Sequence, residues 1–123
     1  MTDRLWGVRG AAQADANDAE SILRATRDLV AGLMERNGVE PESFVSLIFT
    51  CTDDLNAEFP AVAARELGLD QVPLLCNREI DVPGAMGRVI RVLAHYYGPA
   101  DRPPEHVYLG ATQSLRKDLH SAQ

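Results

Sequence analysis

The feature that most constrains this chain is the changing period of its apolar residues. Short β-branched and aromatic runs alternate with stretches of helical spacing, and glycine or proline marks the junctions. Leu5, Trp6 and Val8 predict a first strand ending in a turn at Gly10. Asn17 or Asp18 can cap a helix whose apolar face is Ile22, Thr26, Leu29, Val30, Leu33 and Met34, with Asn37 and Gly38 as its C-terminal stop. After a turn at Pro41 to Ser43, the run FVSLIFT (Phe44 to Thr50) predicts a buried strand. The acidic loop CTDDLNAEFP follows, then a short helix from Pro60 to about Leu67, closed by Gly68. Val72 to Cys76 predicts a third strand. Met86, Ile90, Leu93 and Tyr97 predict a third helix over Ala85 to Tyr97, and His106 to Leu109 a last strand before a polar tail. This alternation of strands and helices predicts one sheet with helices packed on it, and leaves the strand order open.

The 123 residues suffice for one domain, residues 1–123, with a single core. A core of this size leaves little room for a deep cavity, and a pocket at a subunit boundary is one way around that limit. The formal net charge is −6, with no basic run interleaved with aromatics, which argues against a nucleic-acid partner. No apolar run approaches the roughly 20 residues of a membrane span, and MTDRLWGVRG lacks the layout of a signal peptide. Two cysteines, Cys51 and Cys76, are too few for a disulfide framework, so a reducing cytoplasm is the expected location.

The chain carries no glycine-rich phosphate loop and no GxSxG elbow. Its histidines, His95, His106 and His120, show no metal-ligand spacing, so no metal is expected. What remains is a set of arginines: Arg9 where a strand gives way to a turn, Arg65 on the short helix, Arg88 and Arg91 one turn apart on the third helix, and Arg116 in the tail. Taken singly, each is in the usual case a solvated charge. Together they suit a carboxylate, because the planar guanidinium grips carboxylates with a fork that lysine lacks. Arg91, between Ile90 and Val92 near the apolar face, calls for a partner. Cys76 ends a strand and Glu79 follows it in the loop. No histidine or helix terminus is in evidence to activate the thiol, so covalent catalysis is not expected.

The segments VRGA, DLNAEFPAVAARELG, VPLLCNREIDVPGAMGRVIRVL, HVYL and SLRKDL, in this order and spacing, resemble the monofunctional chorismate mutases of the trimeric type, from about Trp6 to Leu119. The resemblance implies an α+β fold: a mixed β-sheet with helices packed on one side, assembled as a homotrimer with a pseudo-α/β-barrel core. It implies the rearrangement of chorismate to prephenate, an intramolecular [3,3] shift with no cofactor, acid, base or covalent intermediate. Arg91 is then expected at the ether oxygen of the breaking bond, and Arg9 with Tyr108 at the side-chain carboxylate. Glu79 would accept from the ring hydroxyl beside Cys76. Phe59, Ala61 and Leu115 would serve as apolar walls, with Arg65 and Arg116 at the mouth. The Phe59 to Arg65 segment would come from a neighbouring subunit. The chain departs from the family pattern at Val62, where a lysine can add positive charge, and at Ala85, which replaces one glycine of a pair.

The energetics are compatible with these parts. A millionfold acceleration needs about 8 kcal/mol. One charged donor at the developing negative charge supplies about 3–4 kcal/mol, and confinement to a reactive geometry supplies several more. Two other readings fit parts of the sequence: a non-catalytic trimeric module that binds a small carboxylate metabolite, and a purely structural interaction domain, which leaves the arginines unexplained.

Overall fold

The computed structural model describes residues 2–115. Strand β1 (Asp3–Gln13) leads into helix α1 (Ala19–Asn37), and a 3-10 turn at Pro41–Ser43 precedes β2 (Phe44–Cys51). A short helix, α2 (Ala61–Glu66), is followed by β3 (Leu74–Arg78), β4 (Val89–Pro99), β5 (Val107–Tyr108) and a closing 3-10 turn at Gly110–Ser114. The strands form one mixed sheet in the order β3-β2-β4-β1-β5. The central β4 is antiparallel to both β1 and β2, while β3 and β5 lie parallel to β2 and β1 on the flanks.

The helix signals act where the sequence places them. Asp18 caps α1, its carboxylate accepting from the Ser21 N–H at 2.7 Å, and that hydrogen bond holds its pKa below the ordinary value. Gly38 takes the left-handed conformation at φ 62° and ends the helix. Ile22, Leu29, Val30 and Leu33 meet Val8, Leu47, Phe49, Ile90, Val92 and Ala94 in one core on the helix side of the sheet.

The third helix predicted over residues 85–97 does not form, and its place is taken by β4. Met86, Ile90, Leu93 and Tyr97 match a helical period, but Ile90, Val92, Ala94 and Tyr96 alternate just as well. The latter four are the buried residues. Pairing with strands on both sides decides the ambiguity for this β-branched, aromatic segment. Gly84 at φ 87° and Arg88 at φ 53° also interrupt any helical approach. Arg88 and Arg91 therefore share no helix face: Arg88 ends a loop and Arg91 lies within β4.

Alternation gives the sheet a second face, which neither α1 nor α2 covers. One row across it runs Leu75, Ile48, Leu93 and Arg9; the next runs Asn77, Thr50, Arg91 and Ala11, with Tyr108 beyond. On this face Leu75, Tyr97 and Leu5 are 56%, 52% and 47% exposed. At its β5 end a small second cluster of Ala11, Val89 and Tyr108 is packed by Met86 and Leu115.

Candidate active site

The register of β1, β2 and β4 assembles the site on the helix-free face. Arg91 is flanked by Ala11 on one side and Thr50 on the other, and Tyr108 of β5 lies beside Ala11. Two short strand neighbours leave Arg91 room to extend over the sheet. Its Nε lies 3.0 Å from Glu79 Oε2, with the glutamate side chain only 16% exposed. The same oxygen accepts from the Thr50 hydroxyl at 2.7 Å. The main-chain N–H of Glu79 donates to the Cys51 carbonyl at 2.9 Å, which ties the start of the β3–β4 loop to the end of β2.

Asp54 secures the other end of that loop. Its carboxylate accepts from the Arg88 N–H at 3.0 and 3.1 Å and from the Thr52 hydroxyl at 2.6 Å, and these bonds lower its pKa. Arg88 Nε donates to the Ala14 carbonyl at 2.9 Å, so this arginine staples the loop to the chain after β1 instead of joining the pocket.

Arg9, Ile48, Thr50, Arg91, Leu93 and Tyr108 line a depression of about 240 Å³. Arg9 Nη2 is buried and has no hydrogen-bond partner among the described residues. A buried guanidinium nitrogen without an acceptor is costly, and an incoming anion relieves that cost. The Glu79 carboxylate paired with Arg91 lines a separate depression of about 220 Å³ with Thr52, Ile80 and Met86, while this one offers two cationic forks and one phenol against an apolar floor. It can hold a small anion and place a donor at an oxygen that gains charge. It falls just below the size of usual small-molecule pockets, about 300–1,000 Å³, and opens on the uncovered face.

The structure brings Arg9, Arg91, Glu79 and Tyr108 together and sets the other predicted residues apart. Cys76 and Phe59 line a larger cavity of about 340 Å³ with Cys51, Leu55 and Pro60, which Arg9, Glu79 and Arg91 do not border. The chemistry favours the smaller depression, because that is where the unsatisfied cation lies. Phe59 is 67% exposed, whereas Ala61 is 5% exposed and packs into the helix-side core. Ala61 is therefore no pocket wall within a single chain. Arg65 is exposed on α2. Leu115 packs beside Tyr108, and Arg116 lies outside the described residues. Thr50 is the participant that sequence reasoning missed. Its signal was a polar residue closing a mostly apolar run, legible only once the alternation of β2 assigns it to the same face as Ile48. Among the described residues, no group of three or more His, Cys, Asp or Glu side chains is arranged to hold a metal.

Comparison with known proteins adds an independent line. Residues 5–119 match the family model described as chorismate mutase type I. The chain is 48% identical over 120 residues to the chorismate mutase AroH of Thermus thermophilus, covering 95% of this chain and 98% of that protein. It is 39% identical over 119 residues to the chorismate mutase AroH of Bacillus subtilis (strain 168), covering 94% and 92%. Among solved structures it resembles a chorismate mutase from Clostridium thermocellum with a TM-score of 0.85 at 40% identity, covering 89% of this chain and 98% of that one.

Proposed function

The chain belongs to the chorismate mutase type I family and is a chorismate mutase, an isomerase of aromatic amino-acid biosynthesis, and we propose that Arg91, Glu79 and Arg9 carry its reaction in a site completed by a neighbouring copy. The observation that carries this reading is the depression in which Arg9, Arg91 and Tyr108 converge, with one guanidinium nitrogen of Arg9 buried and unpaired. Chorismate is a dianion whose ether oxygen gains charge as its C–O bond breaks. Arg9 and Tyr108 bind the side-chain carboxylate. Arg91, already oriented through Nε by Glu79, turns its terminal nitrogens to the ether oxygen. A preorganised donor in a half-buried site stabilises the transition state more than water does, because no reorientation is needed as charge develops. Glu79 accepts from the ring hydroxyl through its second oxygen. The rearrangement moves electrons within one molecule, so these groups need no cofactor and transfer no proton.

The working unit in this reading is a homotrimer of single-domain chains in the cytoplasm. The helix-free sheet face supports it: an apolar surface carrying Leu5, Leu75 and Tyr97 is suited to burial against other copies. So does the small depression, which a neighbour's Phe59 and Arg65, both exposed, would wall and close. Leu115 covers the inner end, and Arg116 is assigned to the mouth. No helix among the described residues is long and apolar enough to cross a membrane.

The test is to add the purified chain to chorismate and follow the ultraviolet absorbance, with light scattering on the same sample. Chorismate should disappear with first-order dependence on enzyme, and the mass should be that of three chains. Loss of chorismate no faster than in buffer would refute catalysis, and a fully active monomer would refute the shared site.

A further inference from the structure

Thr50 stands directly across from Arg91 in the pairing of β2 with β4. Its hydroxyl donates to Glu79 Oε2 at 2.7 Å, the same oxygen that faces Arg91 Nε at 3.0 Å. The next residue, Cys51, accepts the main-chain N–H of Glu79 at 2.9 Å. Two consecutive residues of one strand thus hold the glutamate, one by its backbone and one by its carboxylate. A glutamate has three side-chain torsions, and in a loop none is set by a helix or a sheet. The backbone bond alone leaves the carboxylate free to turn. The Thr50 hydrogen bond and the Arg91 ion pair, both on Oε2, restrict that freedom and leave Oε1 as the oxygen presented to a ligand.

We propose that Thr50 is a positioning residue for the reaction: its hydroxyl locks the Glu79 carboxylate in the rotamer that serves Arg91 with one oxygen and the substrate hydroxyl with the other. The proposal rests on the reading that Glu79 contacts the ring hydroxyl. Strand β2 imposes it, because the residue opposite Arg91 must share its face, and threonine at that position combines strand preference with a short hydroxyl donor.

Thr50→Val keeps the shape and removes the donor. The expected result is a fall in kcat/KM of about ten- to hundredfold, the range for a hydrogen bond to a charged group, with Thr50→Ser restoring most of the rate. A loss caused by damaged packing would not be rescued by serine, which lacks the branching methyl. The second readout is a double-mutant cycle. In a Glu79→Ala background, Thr50→Val should cost nothing further, because the group it positions is gone. Circular dichroism melts of each variant confirm a folded chain, and Thr50→Ala serves as the donor-free variant if Thr50→Val does not fold. An impaired Glu79→Ala beside a wild-type rate for Thr50→Val, or losses that simply add, would overturn the role of Thr50 alone. A wild-type rate for Glu79→Ala would overturn the reading of Glu79 and the role of Thr50 with it.

Discussion

Arg91 and Glu79 form an ion pair at 3.0 Å between the start of the central strand and the loop that precedes it. The contact falls at Nε of the guanidinium. In the proposed mechanism this contact orients the arginine and leaves its terminal nitrogens for the substrate. The pair is partly buried, so removing one partner should cost some stability as well as rate, and activity is to be compared on folded variants.

Arg91→Ala should lower kcat by at least about a hundredfold, the scale for loss of one donor at a developing negative charge. Arg91→Lys should recover little of it, because an ammonium cannot meet Glu79 and an ether oxygen with a planar fork. Steady-state kinetics on folded variants check both. A residual rate near wild type in Arg91→Ala would remove this residue from the mechanism.

Burial, with added repulsion from Cys76 and Glu79, pushes the Cys51 thiol up to about 11 from an ordinary 9.0. A raised folded-state pKa means that the folded chain holds its proton longer than the unfolded one. The resulting stability is complete below pH 9.0 and is lost as pH rises through about 11. At pH 8 the thiolate fraction of Cys51 should be about a hundredfold below that of an ordinary thiol. Alkylation of a Cys76→Ser variant, followed by mass spectrometry, should accordingly be slow until the chain unfolds. Cys76→Ser itself should keep most of the activity; a total loss would reopen covalent chemistry.

Leu75 is 56% exposed and heads the apolar row that runs through Ile48 and Leu93 to Arg9. If other copies cover this face, Leu75→Asp places an unpaired charge in the interface and should shift the light-scattering mass from three chains to one, with activity falling in parallel. An intact, active trimer would show that the row lies outside the contact.

Gly10 lies where β1 meets β5. A Cβ there would sit 2.6 Å from the Val107 carbonyl oxygen and 2.8 Å from Leu29 Cδ1. The first of these is backbone and has little room to yield. Gly10→Ala should cost about 1–3 kcal/mol, the range for overpacking a core. By displacing β5 it should also weaken substrate capture by Tyr108. Thermal unfolding and KM measure the two effects; an unchanged midpoint would mean that β5 shifts freely.

Much of the architecture is local chemistry and is legible from residues in order. Asp18 and Gly38 bound α1 because a capping carboxylate and a left-handed glycine act on their immediate neighbours. FVSLIFT reads as strand because branched and aromatic side chains disfavour the alternatives. The family resemblance also lies in the linear order of the motifs, and with it the proposed assignment of arginines to the substrate. The segment Val89–Pro99 was not legible, because its apolar residues satisfy periods of 3.6 and of 2 alike. Only β1 and β2, pairing with it from both sides, select the strand, since a helix there would leave two rows of sheet hydrogen bonds unmade. That choice sets Arg91 across from Thr50 and beside Ala11. It sends Arg88 to a loop staple and brings Tyr108 to Arg9 from almost the full length of the chain. Sequence alone thus determined which groups the chain can offer an anionic ligand. Tertiary pairing decided which of them share a face, because strand register is a long-range property that no single segment carries.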